Sequence, residues 1–191
     1  YAINGTQANP TWQEINPGVV KDYGPGGLFA DGAQANGANN TITRSYTWTI
    51  PDNISPTAKV KIQDFGNVTV YDVSNNIFKI RGAFTLLTPN GNTNVNQTDR
   101  WVTYDTKAIT WNSQGTMPLV KLEYSNDNFV SDINAITAST ANDGSYDWVI
   151  PNAVLKDVNG NYTNYNLVKV RVSDINDPGV YDNSDFNFKI D

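Results

Sequence analysis

One stretch of this chain is written twice. SYTWTIP at 45–51 and SYDWVIP at 145–151 agree at five of seven positions. In both, large residues alternate with small or polar ones: Tyr46, Trp48 and Ile50 in the first copy, Tyr146, Trp148 and Ile150 in the second. That spacing is the two-residue period of a strand with one buried face. Each copy stops at a proline, Pro51 or Pro151, which cannot donate to a ladder. The duplication continues downstream, where AKVKIQDFGNVTVYDVSNNIFKI at 58–80 aligns without gaps on VKVRVSDINDPGVYDNSDFNFKI at 168–190, with ten of 23 positions identical. The offset grows from 100 to 110, so the second copy carries ten extra residues, and VLKDVNGNYTNYN at 154–166 has the Asn-Gly chemistry of a hairpin or loop insertion. A duplication built on period-2 segments predicts sandwich domains rather than solenoid rungs.

The rest of the chain agrees with an all-β fold. Its 191 residues accommodate two domains of about 100 residues each. Hydrophobic residues make up 39% and charged ones 17%, enough apolar surface to build cores and too little charge for a disordered tail. From residue 83 onward, seven segments have strand character: 84–88, 107–111, 119–125, 135–139, 145–150, 167–173 and 186–190, separated by turn clusters such as PNGN at 89–92 and NDG at 142–144. In Val120-Lys121-Leu122-Glu123-Tyr124 and Val168-Lys169-Val170-Arg171-Val172 the apolar residues fall on one face and the charges on the other, which predicts two antiparallel strands with an inner core and a wet outer side.

Taken in order, FTLLTPNGN, AITWNSQGT, VKLEYSND, GSYDWVIP, VKVRVSDINDP and NSDFNFKI resemble the repeated immunoglobulin-like module of the Ser-Thr-rich, yeast cell-wall-synthesis-like family. Bacterial members of that family are tandem modules of large secreted surface proteins. The resemblance implies two tandem immunoglobulin-like (fibronectin-III-like) antiparallel β-sandwiches, with residues 83–191 forming a complete one. It implies no catalytic residues. Residues 1–82 match in part. The opening YAINGTQANPTWQEI resembles the stretch that begins at Tyr124, so the first sandwich is expected to lack its N-terminal strands, to leave one core face uncovered and to carry a long Gly- and Asn-rich loop at 16–40.

Chemistry is bounded mostly by exclusion. The chain has no Cys and no His, which removes disulfides, thiolate and imidazole metal sites, and the Ser-His-Asp triad. A net charge of −6 without a basic stripe argues against nucleic acid, and no apolar run reaches the length of a membrane span. Neither an N-terminal Met nor a signal peptide is visible, as expected for a piece of a longer, processed protein. No cofactor is expected. Asp174, Asp177, Asp182 and Asp185, in SDINDPGVYDNSD, are read as turn residues, with a structural calcium ion as the alternative; Asp157, Asn159 and Asn161 offer a second oxygen-rich turn. Trp48, Trp111 and Trp148 are expected in cores, while Trp12 and Trp101 are the candidates for stacking on a glycan. Six N-x-[ST] sites, at Asn4, Asn39, Asn53, Asn67, Asn96 and Asn161, are compatible with a glycosylated exterior.

The function expected from these readings is a non-catalytic structural module pair of a large extracellular protein, a surface-layer or cell-wall-associated component. Its partners would be neighbouring copies or domains of the same surface protein, with cell-surface glycans as a further possibility. The alternative is an adhesin or a carbohydrate-binding module appended to a secreted hydrolase.

Overall fold

The computed structural model describes Ala2 and residues 11–15, 30–34, 42–64, 66–94, 99–156, 159–163 and 166–191, with 30–34 and 42–45 as backbone. The chain is all-β with several antiparallel sheets, and it divides into two compact units, Tyr1–Ile80 and Arg81–Asp191. Most of the 16–40 loop, together with Asn4, Asn39, Asn96 and Asp157, lies outside the described residues.

The first unit contains β1 (Ala30–Gln34), β2 (Ile42–Ser45), β3 (Ser55–Ala58), β4 (Lys61–Gln63), β5 (Tyr71–Val73) and β6 (Phe78–Ile80). They pair as three two-stranded sheets, β1 with β2, β3 with β6 and β4 with β5. The repeated SYTWTIP segment enters a strand only at Ser45, where β2 ends; residues 46–50 lie outside the strands. Its counterpart in the second unit becomes a strand because it has a neighbour. Alternation marks a chain segment that could bury one face, but the ladder itself needs a second strand to receive its N–H and C=O groups.

The second unit contains β7 (Ala83–Thr88), β8 (Arg100–Trp101), β9 (Thr106–Gln114), β10 (Leu119–Ser125), β11 (Asn134–Ala141), β12 (Ser145–Val149), β13 (Asn166–Asp174), β14 (Tyr181–Asn183) and β15 (Phe188–Ile190). One sheet runs β12-β9-β7, and the other β11-β10-β13-β15-β8 with β14 also on β13. Both sheets supply one core, an arrangement consistent with a β-sandwich: Phe84, Leu86, Ile109, Trp111 and Trp148 from the first, and Val120, Leu122, Val168, Val170, Val172 and Phe188 from the second. The β14–β15 corner is held by the turn after β7. Leu86 N–H donates to Asp182 Oδ2 at 2.7 Å, Ser184 Oγ–H to the Pro89 carbonyl at 2.9 Å, and Asn90 Nδ2–H to Asp185 Oδ2 at 2.9 Å. Gly91, at φ 69°, completes this turn; a Cβ there would stand 2.4 Å from the Phe186 carbonyl oxygen, so no other residue fits.

The inserted segment at 154–166 docks on this core. A short 3-10 turn, Asn152–Leu155, buries Val154 and Leu155, and Lys156 bridges Tyr162 to close the loop around Gly160. The outer face of β10 and β13 is less wet than alternation predicts. Glu123 is 8% exposed and pairs with Lys121 at 2.8 Å, while Arg171 is covered on both sides by aromatic rings.

Candidate interaction surface

The carboxylates of the 174–185 segment each have a separate task. Asp174 is buried and its Oδ1 accepts from Asn176 N–H at 3.0 Å. Asp177 pairs with Arg81 at 2.9 Å and accepts from Gly179 N–H. Asp182 and Asp185 receive the β7 backbone and Asn90 as described above. They do not converge, and among the described residues no cluster of three or more acidic side chains could hold a metal ion. Each of the four carboxylates accepts from or pairs with a local donor, the turn role read from the sequence.

The two tryptophans put forward for glycan stacking part company. Trp101 is 7% exposed, with Trp148 and Phe188 rings 6.3 and 5.1 Å from its own, so its faces are spent in the core and the stacking role is withdrawn for it. Trp12 is half-buried, with Lys61 Nζ 5.0 Å from its ring centroid. Lys61 also lies over Tyr71, at 5.6 Å. The second unit builds the same stack one repeat later: Arg171 sits over Tyr181 at 4.5 Å and over Phe129 at 3.9 Å. In each unit a cation is held between two rings, one from the paired strand and one from elsewhere, a contact stabilising by about 0.5–2 kcal/mol per ring. Of the N-x-[ST] asparagines that are described, Asn67 and Asn161 are exposed and Asn53 is half-buried.

One feature of the second unit had no signature beyond a run of turn-forming residues. In the 125–132 loop the Asp127 carboxylate accepts from the hydroxyls of Ser131 and Ser125, at 2.7 and 2.9 Å, and from the N–H groups of Val130, Ser131 and Asp132, while Asn128 and Phe129 both take positive φ. The Ser131 hydroxyl first, against some desolvation, and then the Asp132 amide, the Ser125 hydroxyl and the Ser131 amide hold the carboxyl well below the ordinary carboxylate range. A depressed folded-state pKa means the ordering it supplies is present above the unfolded value of about 4 and is lost only as pH falls below that toward the folded value. We therefore expect Asp127 to stay ionised in a carboxyl-NMR titration through the range where exposed Asp residues protonate. Asp127→Asn should speed amide exchange at Ser131 and Asp132 by about tenfold or more at neutral pH, since the amide's N–H₂ would face donors.

The two repeats share several framework hydrogen bonds and one strand register. Asp64 and Asp174 N–H donate to the Val70 and Val180 carbonyls, Ser74 and Ser184 N–H to those of Val60 and Val170, and Val60 and Val170 N–H to the Ser74 and Ser184 hydroxyl oxygens. Lys61↔Val73, Ile62↔Asp72 and Gln63↔Tyr71 in β4–β5 match Arg171↔Asn183, Val172↔Asp182 and Ser173↔Tyr181 in β13–β14. What differs is the cover. Ile62 is 64% exposed where Val172 is fully buried, Val70 is 56% exposed where Val180 is 6%, and Ile50 is 60% exposed where Ile150 is fully buried. Ile62, Val70 and Tyr71, with Asp64 and Asp72, line an open groove. The first unit thus displays as surface, at Ile50, Ile62 and Val70, what the second uses as core.

No protein-family model and no curated protein matches the chain.

Proposed function

We propose that the chain is a pair of tandem immunoglobulin-like modules with a non-catalytic structural role in a large extracellular protein, a surface-layer or cell-wall-associated component. The observation that carries this reading is the duplicated framework itself. The carboxylates that look most like ligands, Asp174 and its counterpart Asp64, make the same turn hydrogen bond in both copies, Asp174 to Asn176 N–H and Asp64 to Gly66 N–H. Duplicated side chains that hold turns and strands are scaffolding chemistry.

The immunoglobulin-like assignment is supported by strand order in the second unit. Setting aside the two-residue β8 and counting β14 and β15 as one broken strand, the first, second and fifth strands form one sheet, and the third, fourth, sixth and last form the other. That is the Greek-key partition of fibronectin-type sandwiches. Surface location and neighbour contacts through the same protein follow from the family resemblance. Antibody raised against the chain should label intact cells of the source without permeabilisation; label only after lysis would reject the extracellular reading. Titration with a panel of cell-wall and capsular glycans should give no saturable binding. Saturable binding lost on Trp12→Ala would replace the scaffold with a carbohydrate-binding module.

A further inference from the structure

The first unit begins a ladder that its counterpart in the second unit continues. Ala2 and Lys59 exchange both backbone hydrogen bonds, each at 2.9 Å. Lys59 occupies the repeat position of Lys169, whose partner across the sheet is Ser125. Beyond that pair the second unit adds five more: Tyr124↔Val170, Glu123↔Arg171, Leu122↔Val172, Lys121↔Ser173 and Val120↔Asp174. The corresponding residues of the first unit are Val60, Lys61, Ile62, Gln63 and Asp64. β4 is paired on its β5 side in the repeat's own register, and among the described residues no strand lies on its other side. An unpaired edge beside exposed Ile62 and Val70 is a template for another chain.

We propose that the 61–64 edge is an acceptor for an extended polypeptide strand, and that its occupant is a segment of the Val-x-Leu-acidic type adding antiparallel to β4. The second unit supplies the recognition chemistry, because it shows the same edge filled. There, leucine stands opposite the position of Ile62 and valine opposite that of Asp64, while Glu123 stands opposite Arg171, the counterpart of Lys61. Lys61 is already fixed between Trp12 and Tyr71, so a carboxylate arriving beside it meets an oriented cation. Main-chain hydrogen bonds supply the affinity, and the alternating apolar side chains set the register, the usual economy of strand addition. This acceptor role stands whether or not the protein is extracellular, because it rests on the open ladder alone.

The test uses the full 191-residue chain and a fluorescein-labelled peptide PLVKLE, the sequence of residues 118–123. Anisotropy should show saturable one-to-one binding. Hydrogen exchange at saturation should slow by about tenfold or more at amides within 61–64 and stay unchanged within 169–174, whose edge is already filled. N-methylation of the peptide glutamate, the residue that would stand opposite Lys61, removes a ladder donor and should weaken binding by about tenfold, a change that cannot unfold the protein. Ile62→Asp should weaken it similarly while leaving the unfolding of the second unit unaltered. No saturation at millimolar peptide, protection that maps away from 61–64, or equal binding of the N-methylated peptide would each overturn the proposal.

Discussion

Trp148→Ala is expected to destabilise the second unit by about 3–5 kcal/mol, whereas Trp48→Ala, at the same letter of the repeat, should cost only about 1 kcal/mol. The difference lies in what surrounds each indole. Trp148 is 4% exposed, contacts the Trp101 and Tyr124 rings at centroid distances of 6.3 and 5.5 Å, and stands on a strand bonded along its length to β9. Removing it opens a cavity bounded by rigid aromatic neighbours that cannot collapse into the space. Trp48 is half-buried, edge-on to Phe78 at 6.4 Å and beside the small Ala58–Ile80 cluster, and a truncated side chain there is replaced largely by water. Against a typical domain stability of about 5–15 kcal/mol the first change consumes a large share. In a domain of this size it should lower the melting temperature by about 15 °C or more. Urea unfolding followed by tryptophan emission, with each variant compared to the parent chain, measures both.

A second pair separates burial from sequence more sharply. Val172→Asp should abolish folding of the second unit, since an isolated carboxylate would be forced into the core in a fully buried position, at a cost above about 4 kcal/mol. Ile62→Asp, at the matching position of the first unit, should change stability by no more than about 0.5 kcal/mol and should raise solubility, because Ile62 is largely exposed. Circular dichroism melts of the two variants decide this. Equal, large losses would mean that the groove beside Ile62 is closed in solution.

These contrasts show what periodicity can and cannot carry. Alternation over 119–125 and 167–173 marks β10 and β13 to within a residue, because both strands bury one face along their whole length. The same alternation over 46–50 falls outside the strands, since pattern records a capacity for burial and not a ladder. β8 and β14 escape a pattern reading because two or three residues cannot display a period; the repeated Val-Tyr-Asp at 70–72 and 180–182 was the available sign of β5 and β14. Trp101 looked free because it sits among turn residues, yet its two-residue strand runs parallel to β15 and carries the ring inward, with the Arg100–Asp191 ion pair closing the same edge. The carboxylates of 174–185 looked like a ligand set because calcium loops and turns draw on the same residues, and only the direction of each side chain separates the two. The Ala2–Lys59 pair, by contrast, stands where the alignment of Tyr1 with Tyr124 puts it, at the repeat position of Ser125 and Lys169.

The two units repeat several framework bonds, and the residues buried in the second, Val172, Val180 and Ile150, are exposed at their counterparts in the first, Ile62, Val70 and Ile50. Producing 81–191 and 1–80 separately, and following urea unfolding together with sedimentation equilibrium, tests the consequence of that difference most directly. Residues 81–191 should unfold in a single cooperative transition as a monomer, because the core drawn from both sheets lies wholly within them. Residues 1–80 should show no cooperative transition, or should associate in a concentration-dependent way through the β4 edge and the apolar surface at Ile62 and Val70. A monomeric 1–80 that unfolds cooperatively would mean that the first unit closes its own core and edge.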